Sequence, residues 1–297
     1  MINSYQTSIK INPMIRTFIV ALIIFHTSSL HSQSKVEQDF STGNTQKISY
    51  VNGKYEGAVN TAGKKHGFGI ARINESSYYE GFWANDMREG NGKCIFPNGD
   101  KYDGNWVSDK KNGVGTYNFT NGEKYVGNFK DDMMHGKGTY NYKNGNKYEG
   151  IFDNGRISGK GICIYGNGEK YEGAFMNGKR TGIGKYYYED GKIYEGMFSD
   201  DIKDGKGTML FPDGSKYIGE FKDNKRSGRG IYYFPNGDYY EGSFLNGKME
   251  GKGVFYWVDG EKYQGSFKNN LKDGAGTFTG ADGEVMKKRY TMGKEIK

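Results

Sequence analysis

Gly173-Ala-Phe-Met-Asn-Gly178-Lys179-Arg180 comes one residue short of a phosphate-binding loop. Such a loop cradles phosphates on backbone N–H groups and needs a serine or threonine after its lysine to hold magnesium. Arg180 stands in that place, and the stretch from Gly242 to Lys248 repeats the near-miss. A near-motif that recurs in phase is a by-product of a repeated phrase. Other chemistry is equally thin. Of four histidines, His26 and His31 lie near the N-terminus, while His66 and His135 fall in stretches that read as hairpin loops. No histidine–cysteine group has zinc spacing. Asp131-Asp132 and Asp200-Asp201 with Asp204 read as loop acids, without the fixed spacing of a calcium loop. A Gly-x-Ser-x-Gly elbow is absent. The expectation is no enzyme, no cofactor and no metal site.

Binding chemistry is better represented. Tyr117, Tyr140, Tyr186 and Tyr232 recur at one position of a repeated phrase. Aligned rings of this kind are either platforms for a glycan or a core in which they stack on one another. Lysines form a second row: Lys101, Lys124, Lys147, Lys170, Lys216 and Lys262. Acids such as Glu149 and Glu172 follow two residues later. That mixture reads as a solvated face, with anionic membrane lipid as the alternative partner and no nucleic acid expected. The chain as a whole carries +7, to which Lys10 and Arg16 of the N-terminal leader contribute two.

Positioning these residues is the work of a 23-residue period. Taking the leading tyrosine as position zero, copies begin at Tyr79, Tyr102, Tyr125, Tyr148, Tyr171, Tyr194, Tyr217, Tyr240 and Tyr263. Glycine follows at position 2 and an aromatic at position 4, as in Gly127 and Phe129. Glycines return at positions 11 and 13, as in Gly136 and Gly138. An earlier copy from Tyr55 runs one residue longer and places Val59 where the aromatic belongs; a half-copy, Tyr50 to Lys54, precedes it. Spacing at 0, 2 and 4 is strand alternation, and no helical period is present. Each copy is expected to form two short strands, over positions 0 to 5 and 11 to 17.

Turn residues then set the pairing. Phe96-Pro97-Asn98-Gly99, Phe211-Pro212-Asp213-Gly214 and Phe234-Pro235-Asn236-Gly237 predict three-residue hairpin loops with a left-handed glycine. This register sets position 15 opposite the next tyrosine, Gly138 opposite Gly150, and Gly136 opposite Phe152. Rings are expected to lie over glycine backbone, and the ring across from Gly136 is the first candidate. A two-residue turn would instead put the second-strand glycines on the opposite face.

Tyr148-Glu149-Gly150-Ile151-Phe152 with Gly159-Lys160-Gly161 and a closing Asn-Gly resembles the MORN (membrane occupation and recognition nexus) repeat. The resemblance spans about residues 50 to 285. It implies an all-β fold, an elongated, single-layer, twisted antiparallel sheet of consecutive β-hairpins. It also implies scaffolding, self-association or membrane association, and supplies no catalytic residues.

The chain divides accordingly. Residues 1–34 combine Lys10 and Arg16 with the apolar run from Phe18 to Phe25 and a small-residue exit. This is the pattern of a signal peptide, too short to span a bilayer. The expectation is a secreted or periplasmic protein, with an uncleaved anchor as the alternative and Met14 as an alternative start. Residues 35–49 read as a polar linker, 50–285 as the array, and 286–297 as a degenerate capping strand and tail, whose Lys287, Lys288 and Arg289 would discourage edge pairing. Cys94 and Cys163 stand at one repeat position three copies apart, roughly 29 Å at about 4.8 Å per strand. That is too far for a disulfide. The expected function is a non-enzymatic scaffold for a protein partner or for self-association.

Overall fold

The computed structural model describes residues 44–50, 53–72 and 76–296. The signal peptide expected over 1–34 lies outside them. Every regular element among the described residues is a strand, 23 in all, from Asn44–Tyr50 to Lys294–Ile296. Each strand pairs antiparallel with its neighbours in sequence, so one all-β sheet forms and does not close on itself. The strand Asn44–Tyr50 pairs with Gly53–Val59 and crosses the boundary drawn between the polar stretch and the array. At the other end, the degenerate strand Val285–Thr291 carries a further short partner, Lys294–Ile296, which the sequence did not suggest.

A repeat contains one seven-residue strand and one of nine, as in Lys124–Lys130 and Met133–Asn141. The second strand thus starts at position 8, not 11. The link between them is a two-residue turn in which both residues have positive φ, 46° at Asp131 and 70° at Asp132. This is the mirror-image turn that suits strand twist, and asparagine, aspartate and glycine dominate it. Asn154-Gly155, Asn177-Gly178 and Asn246-Gly247 announce it openly. Asp131-Asp132 and Asp200-Asp201 are therefore turn residues, whereas His66, His135 and Asp204 sit in strands and not in loops. The longer first copy absorbs its extra residue here. Asn60 and Lys64 bracket a three-residue loop closed by Gly63 N–H donating to the Asn60 carbonyl, and Val59 is buried.

The link between repeats is the expected three-residue loop. Phe96 N–H donates to Asp100 O at 2.9 Å, and Gly99 N–H to Phe96 O at 2.8 Å. Position 15 faces the next tyrosine (Tyr140 with Tyr148), Gly138 faces Gly150 and Gly136 faces Phe152. Within a repeat, Gly127 also faces Gly138. Glycines at positions 2 and 13 thereby align strand after strand into a bare stripe across the sheet.

The ring over that stripe is not the position-4 aromatic. It is the leading tyrosine of the same hairpin. A Cβ on Gly138 would fall 2.4 Å from the Tyr125 hydroxyl oxygen and 2.5 Å from its ring. The hydroxyl reaches past the stripe and donates to Asn128 O at 2.8 Å. Gly136 serves a different need. The nine-residue strand bulges opposite Asn128, and Gly136 takes a φ of 65° there. An added Cβ would find only the Asn128 side chain, so Gly136 is required by backbone conformation and not by ring packing.

Leading tyrosines are the most enclosed side chains, at 0–1% exposure. From Tyr79 onward, each meets the position-4 ring of its own repeat and that of the next edge-on. Tyr125 lies 5.0 Å from both Phe129 and Phe152. Tyr148 continues to Phe152 and Phe175, each at 5.2 Å. T-shaped contacts of this kind add to simple burial. The core is thus a zipper of rings running along one face of the sheet.

Candidate functional site

The four tyrosines at position 15 lie on the ring face beside the zipper. Tyr186 is buried; Tyr117, Tyr140 and Tyr232 are partly so. Their rings are taken up by one another's neighbours. Tyr117 contacts Phe96 and Phe119, and Tyr140 contacts Phe119 and Tyr142. Those two tyrosines therefore share one ring cluster. Tyr186 belongs to a second cluster with Tyr165 and Tyr188, and Tyr232 to a third with Phe211 and Phe234. The breaks fall where Cys163 and Met209 replace the position-15 ring. Both cysteines are free thiols.

The hydroxyl tips are also engaged. Tyr117 donates to Asp100 (2.8 Å), Tyr140 to Glu123 (2.6 Å), Tyr186 to Glu169 (2.7 Å) and Tyr232 to Ser215 Oγ (2.9 Å). The bond from Tyr140 holds the Glu123 carboxyl below its ordinary value, and that from Tyr186 does the same for Glu169. At Asp100, burial pushes the carboxyl up, but bonds from Thr120, Tyr117 and Asn98 outweigh it and leave it low. These contacts hold the rings in place as part of the wall.

A further row on this face escaped the sequence reading. Position 9 carries Arg88, Lys111, Arg180, Lys203, Arg226 and Lys272, interrupted by Met134, Ile157 and Met249. Each cation lies over core rings. Arg88 sits 3.9 Å from the Trp106 centroid, Arg226 5.0 Å from Tyr232, and Lys272 4.5 Å from Trp257. Desolvation on this face lowers the Lys111, Lys203 and Lys272 ammonium groups below the ordinary lysine value. Several position-9 residues meet an aspartate in the next tight turn. Asp109 accepts from Arg88 N (2.8 Å) and Arg88 Nε (3.0 Å), and Asp201 accepts from Arg180 in the same way. The sequence signal was there for three of the six cations: Arg88, Lys111 and Arg180 are each followed 21 residues later by aspartate, whereas Met134 and Ile157 are followed at that interval by glycine.

The opposite face differs in kind. In the row ahead of the leading tyrosines, Lys147 pairs with Glu149, and elsewhere on this face Lys185 pairs with Glu195. Lys170 also pairs with Glu172 while lying over Tyr187. Between them are exposed apolar residues, Ile183 at 72% and Ile218 at 41% among them. An open trough of about 1300 Å³ runs over this side, lined by Ile183, Met197, Lys206, Ile218, Glu241 and Tyr256. Among the described residues, no three or more His, Cys, Asp or Glu side chains gather as a metal site would require. No helix there is long and apolar enough to cross a membrane.

Comparison with known proteins gives one firm result. Among solved structures, the TCP domain of SAS-4 from Drosophila melanogaster, solved with a proline-rich motif of Ana2, is 22% identical. That match covers 51% of this chain and 83% of that one, at a TM-score of 0.34. The TCP10 domain of Danio rerio CPAP, in complex with a STIL peptide, is 11% identical over 83% of this chain and all of that one, at 0.27. Virginiamycin B lyase from Staphylococcus aureus is 15% identical over 84% and 74%, at 0.14. Scores this low transfer neither binding nor catalysis to this chain. No curated protein matches it. The MORN repeat profile, by contrast, matches nine consecutive stretches without a gap, from residues 79–101 to 263–285. With these matches spanning more than half of its length, the chain belongs to the MORN repeat family.

Proposed function

We propose that the chain is a non-enzymatic scaffold that binds a protein partner or a second copy of itself. The observation that carries this reading is the form of its surfaces. Both faces of an unclosed sheet repeat similar groups at regular intervals, and the depression over the lysine-bearing face is an open trough rather than an enclosed cavity. Such a surface suits an extended partner better than a small substrate. Location at the cell envelope or outside the cell is part of the proposal, and its support is the composition of residues 1–34.

Anionic lipid is the weaker alternative, because acids are interspersed with the lysines on that face, with Lys147 and Lys170 of the row paired to Glu149 and Glu172 and Lys93 and Lys185 beside it to Asp103 and Glu195. Glycan binding is weaker too, since Tyr117, Tyr140, Tyr186 and Tyr232 already spend their rings and hydroxyls on neighbours. The test is a pull-down from the native envelope fraction with the chain from residue 35 onward, together with light scattering. A specific retained protein or a defined oligomer is expected. A monomer that retains nothing would overturn the reading.

A further inference from the structure

Position 9 divides the array in two. Asp109, Asp132 and Asp201 stand in the turns that follow Arg88, Lys111 and Arg180. After Lys203, Arg226 and Lys272 the same turn place holds Asn224, Gly247 and Gly293. Asn224 still accepts from Lys203 N–H at 2.9 Å, so it keeps the backbone role and drops the charge. Gly247 and Gly293 have no side chain to offer. Lys203 Nζ donates to the Tyr188 hydroxyl (2.9 Å) and Arg226 Nη2 to Gly247 O (2.6 Å). Among the described residues, no carboxylate lies within ion-pair distance of Lys203, Arg226 or Lys272; the same holds for the Lys111 ammonium, whose Asp132 accepts from its backbone N–H. At the end of the inter-repeat loop, where Asp100, Glu123 and Glu169 stand in earlier copies, Lys192 and Ser215 precede Lys203 and Arg226, while an acid returns near Lys272 as Glu261. These cations are partly withdrawn from water over aromatic rings, yet most of their donors remain unused.

The array itself shows which group fits. At Arg88 and Arg180 an aspartate carboxylate fills the place beside the guanidinium. In the later repeats that carboxylate has to come from elsewhere. From these observations we infer that Lys203, Arg226 and Lys272 form a docking row for an extended acidic peptide segment of the partner protein. Spacing agrees. Lys203 and Arg226 are one repeat apart, about 10 Å at roughly 4.8 Å per strand, and a chain in the extended polyproline II conformation advances about 9 Å in three residues and returns every third side chain to one face. Lys272 follows two repeats further on. Carboxylates at every third residue would meet the row in register, each through charge-assisted bonds that replace the missing turn aspartate. The inference rests on the scaffold reading above and names the chemistry of its partner.

The probe is a synthetic peptide with glutamate at every third residue. Its controls are a peptide with glutamate at every second residue and polygalacturonate, with binding followed by calorimetry. The parent chain should bind the first peptide best. Asn224→Asp with Gly247→Asp, which rebuilds the internal carboxylates, should weaken binding about tenfold or more, the loss expected of charged hydrogen bonds. If Gly247→Asp fails to fold, Asn224→Asp alone, nearly isosteric, should still weaken it. Asp201→Asn, which frees Arg180 next to Lys203, should strengthen it. Unchanged affinity in Asn224→Asp, or equal binding of the two peptides, overturns the inference; tighter binding of polygalacturonate makes the row a glycan site instead. If the Asn224→Asp chain retains the same envelope protein as the parent, this row is not the docking site while the scaffold reading stands. If neither retains a protein, the scaffold reading itself fails.

Discussion

The two faces of the sheet obey different rules. At the zipper positions of the ring face almost one residue is admitted: every leading tyrosine is buried, and most donate to the carbonyl three residues on. On the other face the same strands carry Lys137, Lys160, Ile183, Lys206, Arg229 and Lys252 at one repeat position. Geometry explains the contrast. Ring-face side chains must fill a fixed gap over glycine backbone, whereas the other face meets water. What differs from copy to copy is therefore where a particular partner can be recognised, and what never differs holds the fold.

The sharpest way to break this contrast is to move bulk onto the glycine stripe. Gly138→Ala places a Cβ against the Tyr125 ring and hydroxyl, which have no room to retreat. We expect a loss of about 3 kcal/mol, at the upper end of overpacking costs. The readout is urea unfolding, and a loss below about 1 kcal/mol would mean the rings are not the core. Tyr148→Ala should cost about as much, near 3 kcal/mol, by removing a ring that touches two neighbours. Tyr148→Phe keeps the ring and loses only the bond to Ile151 O, so about 1 kcal/mol is expected. Equal losses for the two changes would assign the stabilisation to the hydroxyl and not to the zipper.

Alkaline pH tests the same face without mutation. Burial pushes Tyr125, Tyr148, Tyr171, Tyr217 and Tyr240 up to about 12. An unfolded tyrosine loses its proton near pH 10, so above that value the unfolded chain binds fewer protons and stability must fall. The loss is expected between pH 10 and 12, with stability flat from pH 8 to 9.5; thermal melts across that range measure it. A flat profile to pH 12 would show that the hydroxyls reach solvent. Smallest of all, Ile183→Lys on the exposed face should shift stability by less than about 0.5 kcal/mol. A large shift there would give the second face a packing role.

Much of this was legible in advance because glycine and tyrosine are under conflicting demands that only one arrangement satisfies. Pro-Asn-Gly fixed the loop between repeats, and from it the pairing of Tyr140 with Tyr148 followed. The tight turn inside the repeat was harder to read. Asp131-Asp132 and Ser108-Asp109 adopt it without glycine, and loop length seemed longer because the following strand opens on polar residues. The ring over the glycine stripe was misassigned because register shows which residues stand opposite one another, but not how far along the strand a side chain leans. Position 9 went unread for a related reason. Arg88 and Lys111 look like surface charge until the bulge turns them over the rings.

Most leading tyrosine hydroxyls fasten their own hairpins, and each leading tyrosine ring meets only its own copy and the adjacent one. The joint between any two repeats is therefore interchangeable with the next. Removing or doubling a 23-residue unit would leave both severed ends matched, so the reach of the molecule can be lengthened or shortened in steps of about 10 Å. A gene that stutters in whole units would change how far the protein extends and leave its foldability intact.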